Sequence, residues 1–395
     1  MNEPNSHGPT EDTAFRTYNE LALFLKRLAT LLVPVLVVFS IPIACLIKAG
    51  EIYPYSAYIH PLEKNQLFGL AYSYYDKEYK LSMTNYYKPD VIALGSSRIM
   101  TFKEDIINRD YTFYNAGGAI QNIYELNLFI QKCQFNPKLV FVTLDQYWFN
   151  PVYRDQKQEF SSKVYDPPSW RFSKIIVSCR DIVYDYIKGK IIIDSLMNSK
   201  HIGLNAICNH HGFSKDGTRD TDRLFYNPDY IKKSYEDTFS RIAQGDRRFE
   251  YCDHAETKVT EAIDMFLDEC EKRGITVMAF IPPYAPSVCR KMWEMGKFNY
   301  MHEIYGILEP HFKKHKGCYL YDYTDMKDMG IHDYDYTDGF HGSVLVSNTI
   351  LQDILDKNDA LKKYFVSKEK MDSINTAFRL QNNVENPQLK ELSFN

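Results

Sequence analysis

The chain has no CxxC pair, no visible internal repeat and little net charge, and each absence narrows what it does. Its 395 residues carry 47 Lys and Arg against 51 Asp and Glu, a formal charge of −4. That balance makes no overall electrostatic case for a nucleic-acid partner. Of eight cysteines, Cys45 lies in an apolar run, and the others lack the paired spacing from which bridges are read. Cys208-Asn209-His210-His211 and Cys252-Asp253-His254 offer metal-capable groups without the regular spacing of a zinc site. Ordinary loop and packing roles are expected for them, with no metal and no cofactor. What the chain does have is length and apolar content, 45% hydrophobic, ample for one sizeable core. Its 31 Tyr and 24 Phe are able to line a carbohydrate groove, though packing is the commoner use of such side chains.

Twenty residues from Leu28 to Ile47 carry no charge. As a helix they span about 30 Å, the thickness of a bilayer core. Pro34 and Pro42 would kink that helix, which membrane helices tolerate. Arg16, Lys26 and Arg27 precede the run and only Lys48 follows it closely, so a cytoplasmic amino terminus is expected. A cleaved leader would need a small-x-small site, and no good one is present. The expectation is a cytoplasmic tail over 1–27, a transmembrane helix over 28–47, and everything else periplasmic or extracellular.

Residues 48–88 read as a tyrosine-rich linker and lead-in helix. Strands and helices then alternate. Val91–Leu94, Tyr111–Asn115, Leu139–Leu144, Thr276–Ile281 and Cys318–Tyr321 are strand-like; Ile123–Cys133, Glu256–Lys272 and 300–314 are helix-like. This alternation predicts an α/β fold with a parallel sheet. The stretch 151–250 breaks the pattern and is expected to be an insertion or lid within a domain over 89–365. The tail over 366–395 is polar and reads as poorly packed, a docked terminal helix being the alternative.

Two short motifs carry chemistry. Val91–Leu94 breaks on Gly95-Ser96-Ser97-Arg98, which puts a serine at the carboxyl end of a strand, where open α/β sheets bind ligands. Far along the chain, Asp338 stands three residues before His341, so a carboxylate is available to orient an imidazole that takes the serine's proton. Either Ser96 or Ser97 could be the nucleophile on this reading.

Together, GSSR after the first strand, NAGG after the second and DGFH near the end resemble the ordered blocks of the SGNH (GDSL-like) hydrolase superfamily. Within it, the membrane-anchored layout is similar to the alginate O-acetyltransferase-like and teichoic-acid D-alanine transfer proteins. The resemblance covers roughly 88–355 without the insertion. It implies a flavodoxin-like α/β/α three-layer fold, with Ser97 as nucleophile, His341 as base and Asp338 as the acid that orients it. Oxyanion donors are then expected from the N–H groups of Ser97, Gly117 and Gly118.

The family's Gly-x-Asn after the third strand is missing, and Tyr147 occupies the aligned place. Gln146 and Asn150 are candidate substitutes, Asp145 faces the crevice, and Arg98 is a candidate for pairing with it or orienting an acyl group. Tyr147, Trp148, Phe149 and Trp170 are candidates for a sugar platform. The activity so implied is O-acyl transfer or ester hydrolysis through an acyl-serine. The implied partners are an acyl donor or acyl-exporting membrane protein and a cell-surface polysaccharide or other polymer. A binding or assembly protein with a decayed site is the alternative.

Overall fold

Five apolar runs pair side by side into one parallel sheet. The computed structural model describes residues 11–153, 163–169, 171–220, 225–384, 386–392 and 394. In chain order the strands are β1 (Val91–Gly95), β2 (Phe113–Gly117), β3 (Leu139–Thr143), β4 (Gly212–Phe213), β5 (Arg219–Asp220), β6 (Thr276–Ile281) and β7 (Cys318–Asp322). The sheet runs β2-β1-β3-β6-β7, and β4 and β5 form a separate antiparallel pair. Val91 lies opposite both Phe113 and Leu139, and Leu139 opposite Thr276. Every residue of β1, β2 and β3 is buried. That explains why these strands read as unbroken apolar runs instead of alternating ones. The second strand starts and ends two residues later than its apolar pattern suggests, because Asn115-Ala116-Gly117 stays paired with β1.

Helices α1 (Glu11–Ala49) and α2 (Asp76–Tyr87) precede the sheet, and α3 (Tyr124–Lys132) follows β2. The expected insertion holds α4 (Phe172–Ile187), α5 (Ile193–Asn198), α6 (Leu204–Asn209), the β4–β5 pair and α7 (Pro228–Gln244). Beyond it come α8 (Val259–Lys272), α9 (Pro286–Met295) and α10 (Ile304–Lys314). α3, α8 and α10 pack in a row.

Residues 28–47 are helical as part of α1, and the helix is bent near Pro34. α1 begins at Glu11, so the described part of the expected tail is helical too. Among the described residues no single helix is long and apolar enough to cross a membrane; Tyr18–Pro34 and Phe39–Ala49 meet that test only together, bent by 50°. Pro34 stands at the bend, where a missing N–H and a ring clash break the helix ladder. The linker is not loose either. The Glu51 carboxylate accepts the N–H groups of Ala71, Tyr72 and Leu204, and the Tyr58 hydroxyl donates to the Gly50 carbonyl at 2.6 Å.

The carboxyl-terminal stretch folds as α11 (Val344–Lys357), α12 (Asp359–Lys362), α13 (Lys368–Gln381) and α14 (Pro387–Lys390). The docked alternative therefore holds for the described residues of 366–395: α13 packs on α11, and Met371, Phe378, Val384 and Leu389 are buried. Ile374, Leu392 and Phe394 pack against the same core, and Phe394 stacks on Tyr235 with ring centres 4.0 Å apart, so widely spaced apolar side chains seat a tail that is otherwise polar.

The insertion covers the open edge of β2. The N–H of Asn115 donates to the Asp216 carbonyl at 2.7 Å, which removes an unpaired strand edge. Gly217 allows this approach: its φ is +81°, and a Cβ there would lie 2.3 Å from the Asn115 oxygen. Lys80 of α2 clamps the join from beneath. Its ammonium donates to the carbonyls of Asn115 and Gly217 and lies 3.8 Å from the centre of the Phe213 ring.

Burial lowers the Lys80 ammonium to about 7, against the pull of Asp76 and Asp216. An unfolded chain holds that proton up to about pH 10.4. Between those values the unfolded state binds more protons, so stability rises with pH. Chemical denaturation of the wild type should show a gain on the order of a few kcal/mol between about pH 7 and pH 10 that Lys80→Met lacks. Equal slopes for the two proteins would contradict this.

Candidate active site

β1 ends on Gly95 because nothing larger fits: a Cβ there would lie 2.1 Å from the Thr143 hydroxyl oxygen. The chain then turns into a short 3-10 helix, Ser97–Ile99, with Ser96 as its amino-terminal cap. The buried Ser96 hydroxyl accepts the Arg98 N–H at 3.2 Å, so its geometry serves the turn. Ser97 is the serine that faces His341. Its Oγ lies 2.8 Å from His341 Nε2, across 244 residues of sequence. On the other side of the ring, His341 Nδ1 is 2.9 Å from Asp338 Oδ2.

Asp338 is held by its own loop. Its Oδ1 accepts the N–H groups of Phe340 at 2.9 Å and His341 at 2.8 Å. Burial alone would push this carboxyl up, but the imidazole beside it and these hydrogen bonds outweigh burial and hold it well below the usual carboxylate range. An ionised Asp338 accepts Nδ1–H, which leaves the Nε2 lone pair to take the Ser97 proton. The Thr238 hydroxyl of α7 donates to the Asp338 carbonyl at 2.8 Å, so the insertion helps to seat the loop.

Arg98 connects the two halves. It is 7% exposed, and its guanidinium donates to Asp145 at 3.3 Å, to Gln146 at 2.7 Å and to the Pro283 carbonyl. Its flat face lies 4.5 Å from the centre of the Phe340 ring and 4.6 Å from that of Tyr284. The neighbour of Ser97 thus stacks on the neighbour of His341. Arg248 covers Phe340 as well, at 5.6 Å, and Tyr147, Phe249 and Tyr284 pack around the same ring.

Several expected site residues do other work. The Gly117 N–H donates to the Asn115 side chain at 2.7 Å, and the Gly118 N–H donates to the carbonyls of Gly95 and Ser96. Both expected glycine donors are spent on closing the turn. Among the described residues no acceptor takes the Ser97 N–H, so that donor stays free. Gln146 is fully buried, accepting from Arg98 and donating to the Pro282 carbonyl at 2.6 Å. Asn150 donates to the Glu250 carbonyl and accepts the Val152 N–H. Asp145 is fully buried behind Arg98, and its Oδ2 has no partner among the described residues. Asp145, Gln146 and Asn150 are therefore framework, not substrate contacts. Tyr147, Trp148 and Phe149 are at most 1% exposed and form core, not a sugar platform; Trp170 lies outside the described residues.

A cavity of about 200 Å³ opens over Ser97, Asp338 and His341, and its far wall is the insertion: His211, Arg219, Phe225 and Tyr230. Of these, only His211 stands in a motif that the sequence singles out, and there as a metal-capable group. Arg219 has no carboxylate within 4.0 Å among the described residues; its nearest side-chain partner is His211 Nδ1, at 3.4 Å. Burial, with Arg219 adding to it, lowers the His211 imidazole to about 4. A neutral His211 accepts from Arg219 and leaves the positive charge facing the cavity. Among the described residues no three His, Cys, Asp or Glu side chains converge as a metal site would require. The sequence signal for Arg219 is weak, since the insertion has no periodicity to mark which of its basic residues turns inward.

No protein-family model matches the chain, and no curated protein sequence matches it.

Asp338→Asn keeps the shape of this loop but removes the charge that fixes the imidazole tautomer. Reaction of Ser97 with a fluorophosphonate should slow by about 10³–10⁴, measured as the second-order labelling rate. A rate within a factor of about three of wild type would show that Asp338 does not orient the base.

Proposed function

We propose that this chain is a membrane-anchored, extracytoplasmic serine acyltransferase or esterase of SGNH type, acting through an acyl-serine. The observation that carries the reading is the unbroken chain from Ser97 Oγ through His341 to Asp338, at 2.8 and 2.9 Å, beside a cavity large enough for an acyl group. The order β2-β1-β3-β6-β7 supports it. With the short β4–β5 pair set aside, this is the 2-1-3-4-5 order of flavodoxin-like sheets, whose ligands bind where the order reverses beside the first strand.

In the proposed cycle His341 Nε2 takes the Ser97 proton as Oγ attacks the carbonyl carbon of an acyl donor. The tetrahedral oxyanion faces the Ser97 N–H, with the Arg219 charge across the cavity. Collapse breaks the bond to the leaving group, which receives its proton from the His341 imidazolium. A second hydroxyl, from a sugar or from water, then gives its proton to His341, attacks the acyl-serine and regenerates Ser97. A bilayer tether through α1 favours transfer to a surface-bound polymer, because acceptor and enzyme then share one surface. On this reading an acyl-exporting membrane protein supplies the donor. The acceptor is a cell-surface polysaccharide or related polymer, and the amino terminus is cytoplasmic.

One observation favours a second reading, a polymer-binding protein without turnover: the glycine N–H groups that would complete an oxyanion hole are occupied. Fluorophosphonate labelling separates the two. Wild type should be labelled on Ser97, shown by peptide mass mapping, and Ser97→Ala should not be labelled at all. A wild type inert to the reagent, or labelled at another serine, would leave the binding reading. If Arg219 supplies the missing charge, Arg219→Gln should slow acyl-enzyme formation by about ten- to a hundredfold; an unchanged rate would remove it from the mechanism.

A further inference from the structure

The insertion helices carry an apolar face that nothing among the described residues covers. Between residues 176 and 197 nine large apolar side chains are exposed, among them Ile176, Val183, Tyr184, Ile187, Ile193 and Met197, at 45–74%. Apart from α1, the rest of the described chain exposes only eight such side chains, and single exposed apolar residues need no explanation.

The pattern on α4 shows that this is a second face. Ile175, Cys179 and Ile182 turn inward and pack with Ile43, Leu46 and Ala49 at the end of α1. Ile176, Val183 and Ile187 turn outward at helical spacing, and Arg180 between them is exposed and paired with Asp181 at 2.6 Å. A helix apolar on two sides has two apolar environments. One of them is α1. Because α4 and α5 both pack against α1, their open face continues the exposed apolar surface of that helix.

The composition of the edge names the other environment. Tyr184 and Tyr186 are exposed, and so are Lys188 and Lys190 just beyond them. The Lys188 ammonium lies 5.2 Å from the Tyr184 ring centre. Apolar side chains bordered by tyrosine and then lysine are the pattern of a segment lying in the headgroup region of a bilayer.

We propose that α4 and α5 form a second membrane contact that lies flat in the outer bilayer surface beside α1. The contact depends on α1 being the anchor and is independent of the serine chemistry. It constrains the active site, because the same insertion continues through α6 and β4 to Arg219. The cavity wall is then fixed relative to the lipid surface instead of swinging on a tether.

The test uses the full chain reconstituted in phosphatidylcholine–phosphatidylglycerol vesicles, with and without bromine on the acyl chains. Tryptophan is introduced by Ile187→Trp or Ile193→Trp, and by Met265→Trp on the exposed face of α8 as the control. Circular dichroism checks folding, and the parent protein's fluorescence is subtracted. The added tryptophans at 187 and 193 should be quenched by brominated lipid at least about twofold more than the one at 265. Equal quenching at the three positions overturns the contact while leaving α1 as an anchor. Failure of the full chain to float with vesicles overturns both. Labelling of Ser97 in the same samples reports separately on the active-site reading.

Discussion

The stacking of Arg98 on Phe340 is the constraint on which the geometry of the site depends. Two loops 240 residues apart in sequence meet because the residue after the serine and the residue before the histidine share one contact. Arg98 is a buried cation, which is tolerated only where its hydrogen bonds are met. Asp145 and Gln146 beyond β3 and the Pro283 carbonyl beyond β6 meet them. The guanidinium therefore ties the carboxyl ends of three strands to the base loop at once. Removing it would leave Asp145 buried without its cation, a cost of about 3–5 kcal/mol. Phe340 contributes the apolar half of the clamp, seated among Tyr147, Phe249 and Tyr284.

From that clamp outward, the molecule works as a rigid floor with an added wall. The sheet fixes Ser97, and the loop at 338–343 fixes His341. The insertion brings Arg219, Phe225 and Tyr230 over them. It stays in place because Lys80, Gly217 and Asn115 weld it to the edge of β2. The insertion is thus both the lid of the cavity and, through α4 and α5, the part of the protein packed closest to α1.

The sheet was legible because strands covered on both faces are written as apolar runs, and Val91–Leu94 and Leu139–Thr143 have no other use for such a run. The serine and histidine motifs were legible because each is short and local: a glycine turn after a strand, and a carboxylate three residues before an imidazole. What the sequence hid was tertiary. Gly117 and Gly118 look the same whether their N–H groups point to a substrate or close a turn, and only the positions of Asn115 and of the Gly95 and Ser96 carbonyls decide. Tyr147-Trp148-Phe149 reads equally as a platform or as core. The tail beyond 366 is polar in composition, while its docking rests on widely spaced apolar side chains from Met371 to Phe394. The bend at Pro34 was anticipated as a kink, but residue types do not record its size of 50°.

The most direct test of the clamp is a double-mutant cycle of Arg98→Met and Phe340→Leu, read as the rate at which Ser97 reacts with a fluorophosphonate. The account predicts that either change alone slows the reaction and that the second adds little once the first is made, a coupling of about 1 kcal/mol or more. Effects that add to within about 0.5 kcal/mol would show that the two side chains act independently and that something else holds base and nucleophile together.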